Sequence, residues 1–138
     1  MSKLPVTLPD PAALTEESKP FWEGLAAGQL RLQRCDDCAE VIWYPRGLCP
    51  HCGSVALAWF TASGQGTVYS FTVVRRTGGP FGAAVPYMVG YVELAEGPRV
   101  LTNIVDCDPG QVGIGQPVQC VFDYDEGGRA LLRFRPVT

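Results

Sequence analysis

The whole 138-residue chain holds a single histidine, His51. It lies between two cysteines, so a Ser-His-Asp or Cys-His catalytic pair has no histidine elsewhere to draw on. Lysine is nearly as scarce, at two residues against nine arginines, and the formal net charge is −3. A protein built to grip a nucleic-acid backbone carries a basic footprint, and this one does not. No apolar run is long enough for a membrane-spanning helix. The first nine residues, Met1 to Pro9, lack the charged start and apolar run of a signal peptide. A phosphate-cradling glycine motif is also missing. Gly78, Gly79, Pro80, Phe81 and Gly82 precede no helix whose dipole could support a phosphate, so they are expected to form a flexible loop. Paired carboxylates occur only in acidic runs such as Asp123, Asp125 and Glu126, beside the turn signal Gly127-Gly128. A solvated hairpin is expected there.

What the chain does have is four cysteines in two matched pairs. Cys35 and Cys38 are followed, ten residues later, by Cys49 and Cys52. Each CxxC turn points two thiolates at one place, and two such turns close a tetrahedron around a soft cation. Zinc is the expected ion, with iron the alternative because tetrahedral sulfur also suits it. Four protein ligands leave no open position, so the ion is expected to hold the fold and to do no chemistry. Thiolate ligands persist in a reducing compartment, so a cytoplasmic protein is expected. Cys107 and Cys120 lie in or beside apolar strand-like stretches and are expected to be buried core thiols.

The hydrophobic fraction of 46% is enough for a globular core. Residues 1–14 hold three of the twelve prolines and are expected to form an extended arm. Thr15 to Pro20 then begins a helix, with Thr15 or Ser18 as cap and Pro20 in the first turn. Phe21, Trp22, Leu25 and Ala26 share one helical face, and Gly28 is a natural stop. That face packs either on its own domain or on a partner. Residues 30–54 are expected to form a zinc ribbon: a strand from Leu30 to Arg34 enters the first knuckle, and Val41 to Arg46 returns to the second. From Val55 onward the pattern is all strand. Five segments, starting near Thr67, Tyr87, Val100, Val118 and Ala130, alternate or run apolar between turn signals. With no helix between them they suit a small closed barrel of the OB type, and Gly90 fits the coiling such a barrel needs. The expected division is therefore 1–29 arm and helix, 30–54 ribbon, and 55–138 barrel.

At this point the chain resembles the DUF35 family (domain of unknown function 35), proteins with a rubredoxin-like zinc ribbon followed by an OB-fold. Phe21 and Trp22 carry the resemblance, with the run from Gly28 to Cys38, Tyr44 to Arg46, Cys49 to Ser54, Trp59, and the run from Gly64 to Thr72. Ala39 departs from the family pattern, where a glycine is usual, and Tyr44 stands where a second proline is common. Neither touches a metal ligand.

The resemblance implies a non-catalytic accessory subunit of a thiolase-superfamily enzyme: a thiolase, ketosynthase or retro-aldolase acting on acyl-CoA. Such a subunit would hold the complex together and help to bind acyl-CoA. Arg46, Arg75 and Arg76 are then candidates for the CoA phosphates, because guanidinium forks match phosphate oxygens. Phe21, Trp22, Tyr87 and Tyr91 are candidates for the partner interface, where aromatic anchors dominate. The competing expectation is single-stranded nucleic-acid binding, since OB barrels stack bases on aromatic residues. The acidic balance disfavours it.

Overall fold

A computed structural model describes residues 4–137. Met1 to Lys3, the start of the expected arm, and Thr138 lie outside the described residues. Eight strands follow one short helix. They are β1 (Arg31–Cys35), β2 (Val41–Ile42), β3 (Leu57–Thr61), β4 (Gln65–Val74), β5 (Tyr87–Leu94), β6 (Arg99–Ile104), β7 (Pro117–Tyr124) and β8 (Ala130–Pro136), with α1 (Lys19–Ala26) ahead of them. No helix among the described residues is long and apolar enough to cross a membrane.

β4 to β8 close a barrel in the order β4-β5-β6-β8-β7. β6 and β8 are the parallel pair, meeting at Ile104 and Phe134, and the other neighbours are antiparallel. Closure leaves no barrel edge unpaired. The five strands fall where alternation placed them. Inside, Val68, Met88, Val92, Val100, Ile104, Val118 and Phe134 form one buried cluster. Two glycines let strands approach closely. A Cβ on Gly66 would stand 2.5 Å from the Glu93 carbonyl oxygen, and one on Gly90 would stand 2.9 Å from Ile104 Cδ1. Gly66→Ala therefore pushes against backbone that cannot rotate away. It is expected to cost about 1–3 kcal/mol in urea unfolding, with the slope against denaturant unchanged.

β3 departs from expectation. It lies within the 55–138 stretch, yet its ladder partner is β1, from Arg31 opposite Thr61 to Cys35 opposite Leu57. It completes a three-stranded ribbon sheet of order β2-β1-β3. The return strand is also shorter than Val41 to Arg46: only Val41 and Ile42 pair with β1.

α1 packs on its own molecule, against β1, β7 and β8. Phe21 and Leu25 enter the barrel's core cluster, which decides the choice of face in favour of intramolecular packing. Ala26 is exposed, and Gly24 is buried in its stead. A Cβ there would meet the Arg31 side chain at 2.8 Å. Neither Thr15 nor Ser18 caps the helix amides. The two side chains instead close the preceding turn on each other, Thr15 Oγ1 accepting from the Ser18 amide at 3.3 Å. Gly28 ends the helix as expected. At φ +75° it allows the Gln29 amide to reach back to the Gly24 carbonyl at 2.8 Å and its own amide to reach Leu25 at 3.0 Å, a Schellman closure. The glycine-rich loop is partly ordered: Gly79–Ala84 forms a 3-10 turn, and Phe81 packs on Tyr87 with ring centroids 5.5 Å apart.

The arm lies along the barrel. Leu4 is buried, and two arginines around β8 hold the backbone beside it. Arg133 donates to the carbonyls of Leu4 and Pro5, and Arg129 Nη2 donates to that of Pro9 at 2.8 Å.

Candidate metal centre and partner surface

The two knuckles are near copies of each other. In the first, the Ala39 amide donates to the Cys35 carbonyl at 2.9 Å. In the second, the Gly53 amide donates to the Cys49 carbonyl at the same distance. The fifth residue of each turn is left-handed, with φ +66° at Ala39 and +79° at Gly53. Amides are turned onto the sulfurs as well, Cys38 to Cys35 Sγ at 3.5 Å and His51 to Cys49 Sγ at 3.4 Å. The His51 ring stays exposed. The Cys38 amide is the main cause that lowers the Cys35 thiol to about 7, while burial and the neighbouring sulfurs leave the Cys38 and Cys52 thiols raised.

These turns bring all four Sγ atoms within 4.8 Å of one another. Cys35 and Cys52 are 3.6 Å apart, as are Cys38 and Cys49. Sulfurs bound about 2.3 Å from one ion at tetrahedral angles lie about 3.8 Å apart, close to the two shortest separations, so the set suits a single tetrahedral metal. Cys35, Ile42 and Cys49 are also the buried cluster of the ribbon tip, with Cys38 and Leu57 packed on it. Most of that small core is cysteine.

Ala39 is the weak point of this geometry. A residue with a Cβ held left-handed is strained, and glycine is not. Ala39→Gly is expected to raise apparent stability of the tip by about 0.5–1 kcal/mol. Gly53→Ala, where a Cβ meets nothing within 4 Å, is expected to lower it by a similar amount. Competition with a chromophoric chelator measures both changes.

Gln33 ties the ribbon's inner face to the second knuckle. This buried side chain accepts from the Arg46 amide and donates to the Arg46 carbonyl, each at 3.0 Å. The Arg46 guanidinium turns back, Nε to the Tyr44 carbonyl at 3.0 Å. Arg46 lines a shallow cleft with Glu17, Leu48 and Pro50, to which neither Arg75 nor Arg76 contributes. Arg75 and Arg76 follow the end of β4, beside the Val74–Tyr87 pair, and are exposed. The structure therefore places these two side by side on the barrel and Arg46 on the ribbon.

The four expected interface aromatics also separate into two groups. Phe21 is 3% exposed, within 5.7 Å of the Trp22, Trp43 and Tyr44 rings. It is the buried centre of an aromatic nest whose outer members are Trp22 and Tyr44. The Trp22 indole donates to Tyr44 Oη at 3.0 Å. Tyr87 and Tyr91 lie on the outer face of the barrel. Tyr91 is 45% exposed and stands opposite Leu101, which is 58% exposed. Phe81, Tyr87, Val89 and Leu101 border a groove on the same face. Arg99, the cation of this strip, pairs with Glu93 at 3.0 Å and stacks on Tyr69.

Two features were not foreseen. Asp123 is no solvated hairpin acid: it forms an ion pair with Arg133, a side chain 2% exposed. Asp125 does serve the turn, its carboxylate accepting from the Gly127 and Arg129 amides at 2.9 Å. The sequence signal was an arginine among apolar strand residues, between Leu132 and Phe134. Cys107 and Cys120 are half-buried beside the core, and burial raises both thiols above their usual range.

Comparison with known proteins gives this geometry a family. Residues 22–58 match the model described as "ChsH2, rubredoxin-like zinc ribbon domain", and residues 59–123 match "ChsH2, C-terminal OB-fold domain". A "DUF35 domain-containing scaffold protein" from Methanothermobacter thermautotrophicus is 39% identical over 112 residues, covering 76% of this chain and 84% of the relative. A "Probable enoyl-CoA hydratase alpha subunit" from Thermomonospora curvata is 40% identical over 119 residues, covering 84% of this chain and 36% of the relative. The chain thus spans about a third of that longer protein. Among solved structures, a chain of "Ltp2-ChsH2(DUF35) aldolase" superposes with a TM-score of 0.82 at 34% identity, covering 91% of this chain and 98% of that one. The chain belongs to the DUF35 family, as a ChsH2-type zinc ribbon joined to an OB-fold barrel.

Proposed function

We propose that the chain is a non-catalytic accessory subunit of a thiolase-superfamily enzyme that makes or breaks carbon–carbon bonds on acyl-CoA. The observation that carries this reading is the likeness, over 98% of its length, to the DUF35 chain of an aldolase. The scaffold names of the shorter relatives support it. In this reading the four cysteines hold zinc as a structural ion, and the purified protein is colourless. An iron-loaded site would instead be red and absorb in the visible.

The outer barrel face is the proposed docking surface. An OB-fold uses the equivalent strands for its ligands. Here the strip is apolar and aromatic, and its one cation is paired with Glu93. That chemistry suits a protein partner better than a nucleic-acid strand, which needs a free basic groove. Arg75 and Arg76, exposed beside that face with no ion pair among the described residues, are the proposed contacts for CoA phosphates. Arg46 joins them only if the partner or the ligand draws its guanidinium off Tyr44.

The test is omission and add-back. A candidate thiolase-type partner subunit is assayed on acyl-CoA alone and with the chain restored. The reading expects activity to depend on the chain, and Arg75→Glu with Arg76→Glu to weaken acyl-CoA binding by the assembled enzyme at least tenfold. Full activity without the chain would overturn it.

A further inference from the structure

The barrel interior opens into a cavity of about 460 Å³ at the end where β5 begins and β6 ends. This is in the size range of small-ligand sites, about 300–1,000 Å³. Met88, Ile104, Val121 and Phe122 give it apolar walls, and Leu4 of the arm closes one side. Arg133 lines it too, and its Nε is buried with no hydrogen-bond partner. Nη1 of that guanidinium donates to the Asp123 carboxylate and the Leu4 carbonyl, and Nη2 donates to the Pro5 carbonyl. A buried N–H without an acceptor is costly, and an apolar pocket with one fixed donor is how small-ligand sites set orientation.

We propose that this cavity binds a small, neutral, largely apolar molecule carrying a carbonyl oxygen, which accepts the Arg133 Nε–H. The charge balance selects the neutral acceptor. Asp123 already neutralises Arg133, and Asp106 lines the same space. A ligand carboxylate would be brought out of water toward two acids, with no unpaired cation among the described lining residues to receive it. The carbonyls of Leu4 and Pro5 make the arm part of the same arrangement, since they hold Nη1 and Nη2 and leave Nε as the guanidinium nitrogen without an acceptor. The site needs no partner subunit, so the inference stands apart from the accessory-subunit reading and can fail without it.

The experiment uses the full, metal-loaded chain with ¹³C-labelled methyl groups, titrated with three probes of similar shape: acetophenone, ethylbenzene and benzoate. Saturable shifts of the Met88 and Ile104 methyl signals are expected with acetophenone. Ethylbenzene, lacking the acceptor, is expected to bind at least fivefold more weakly, and benzoate not to shift these signals. Arg133→Lys, which keeps the charge for Asp123, is expected to erase the preference for acetophenone. Val121→Phe, which fills the space and leaves Arg133 in place, is expected to abolish binding of both neutral probes. If the lysine variant does not fold, the probe series and the filled variant still decide. Equal binding of acetophenone and ethylbenzene, tighter binding of benzoate, or no saturable shift at either methyl would overturn the proposal.

Discussion

Replacing Cys49 by serine is expected to unfold the tip of the ribbon and spare the barrel. The reason lies in what the tip is made of. Its buried cluster is Cys35, Ile42 and Cys49, with Cys38 and Leu57 alongside. Remove the metal, and Ile42 and Leu57 are the aliphatic side chains left to hold it. Two aliphatic side chains contribute about 3–6 kcal/mol at most, well short of the entropy of ordering some twenty residues at about 1–2 kcal/mol each. Structural zinc supplies about 10–16 kcal/mol in comparable small modules. The base of the ribbon is different. Leu30, Leu32, Trp59 and Phe60 belong to the barrel's own core or pack against it. Amide hydrogen exchange should therefore separate the two. The Cys35 amide, bonded to the Glu40 carbonyl, and the Cys49 amide, bonded to that of Ser54, are expected to lose at least about 3 kcal/mol of protection, on the order of 100-fold in rate. Val92 and Phe134 amides in the barrel are expected to exchange at nearly their original rate. Unchanged protection at Cys35 would show that the tip does not need its metal.

Tyr91→Asp combined with Leu101→Asp is expected to break the proposed complex without disturbing the fold. The two side chains face each other across β5 and β6 and point outward, so neither substitution buries a charge in the free subunit. In a complex each would bury an unpaired carboxylate, and the aromatic anchor would be lost as well. The expected loss is at least about 3 kcal/mol, more than 100-fold in affinity. The thermal midpoint of the isolated chain should move by no more than a few degrees. Ile114→Asp, at a comparably exposed residue in the turn before β7, is the control and should bind normally. Equal weakening by the control would mean that charge alone matters and that this face is not the contact.

The parts of this protein that could be read from the chain are those fixed by local spacing. Two CxxC turns state their geometry in four residues, and the strands from Gln65 to Pro136 alternate strongly enough to be bounded within a residue or two. The parts that could not be read depend on which strand lies beside which. β3 has a strand pattern like its followers, and nothing local says that it pairs with Arg31 to Cys35 and not with the barrel. Gly24 replaces Ala26 on the helix's buried face because Arg31 crosses at that point, a contact helical periodicity does not encode. Asp123 beside Gly127-Gly128 looks like a hairpin acid. It becomes a buried ion pair because β7 and β8 set it near Arg133, ten residues on. Arg46 and Arg75–Arg76 looked equivalent as phosphate ligands. The fold puts them on different modules and occupies one of them with the Tyr44 carbonyl.

The most direct measurement is size-exclusion chromatography with light scattering on the chain co-expressed with a candidate thiolase-type partner subunit. The accessory-subunit account expects a single peak with the summed mass of both subunits in a fixed ratio, retained by the Ile114→Asp chain and split by the Tyr91→Asp, Leu101→Asp chain. Two separate peaks for the unmodified pair, with and without acyl-CoA, would contradict it.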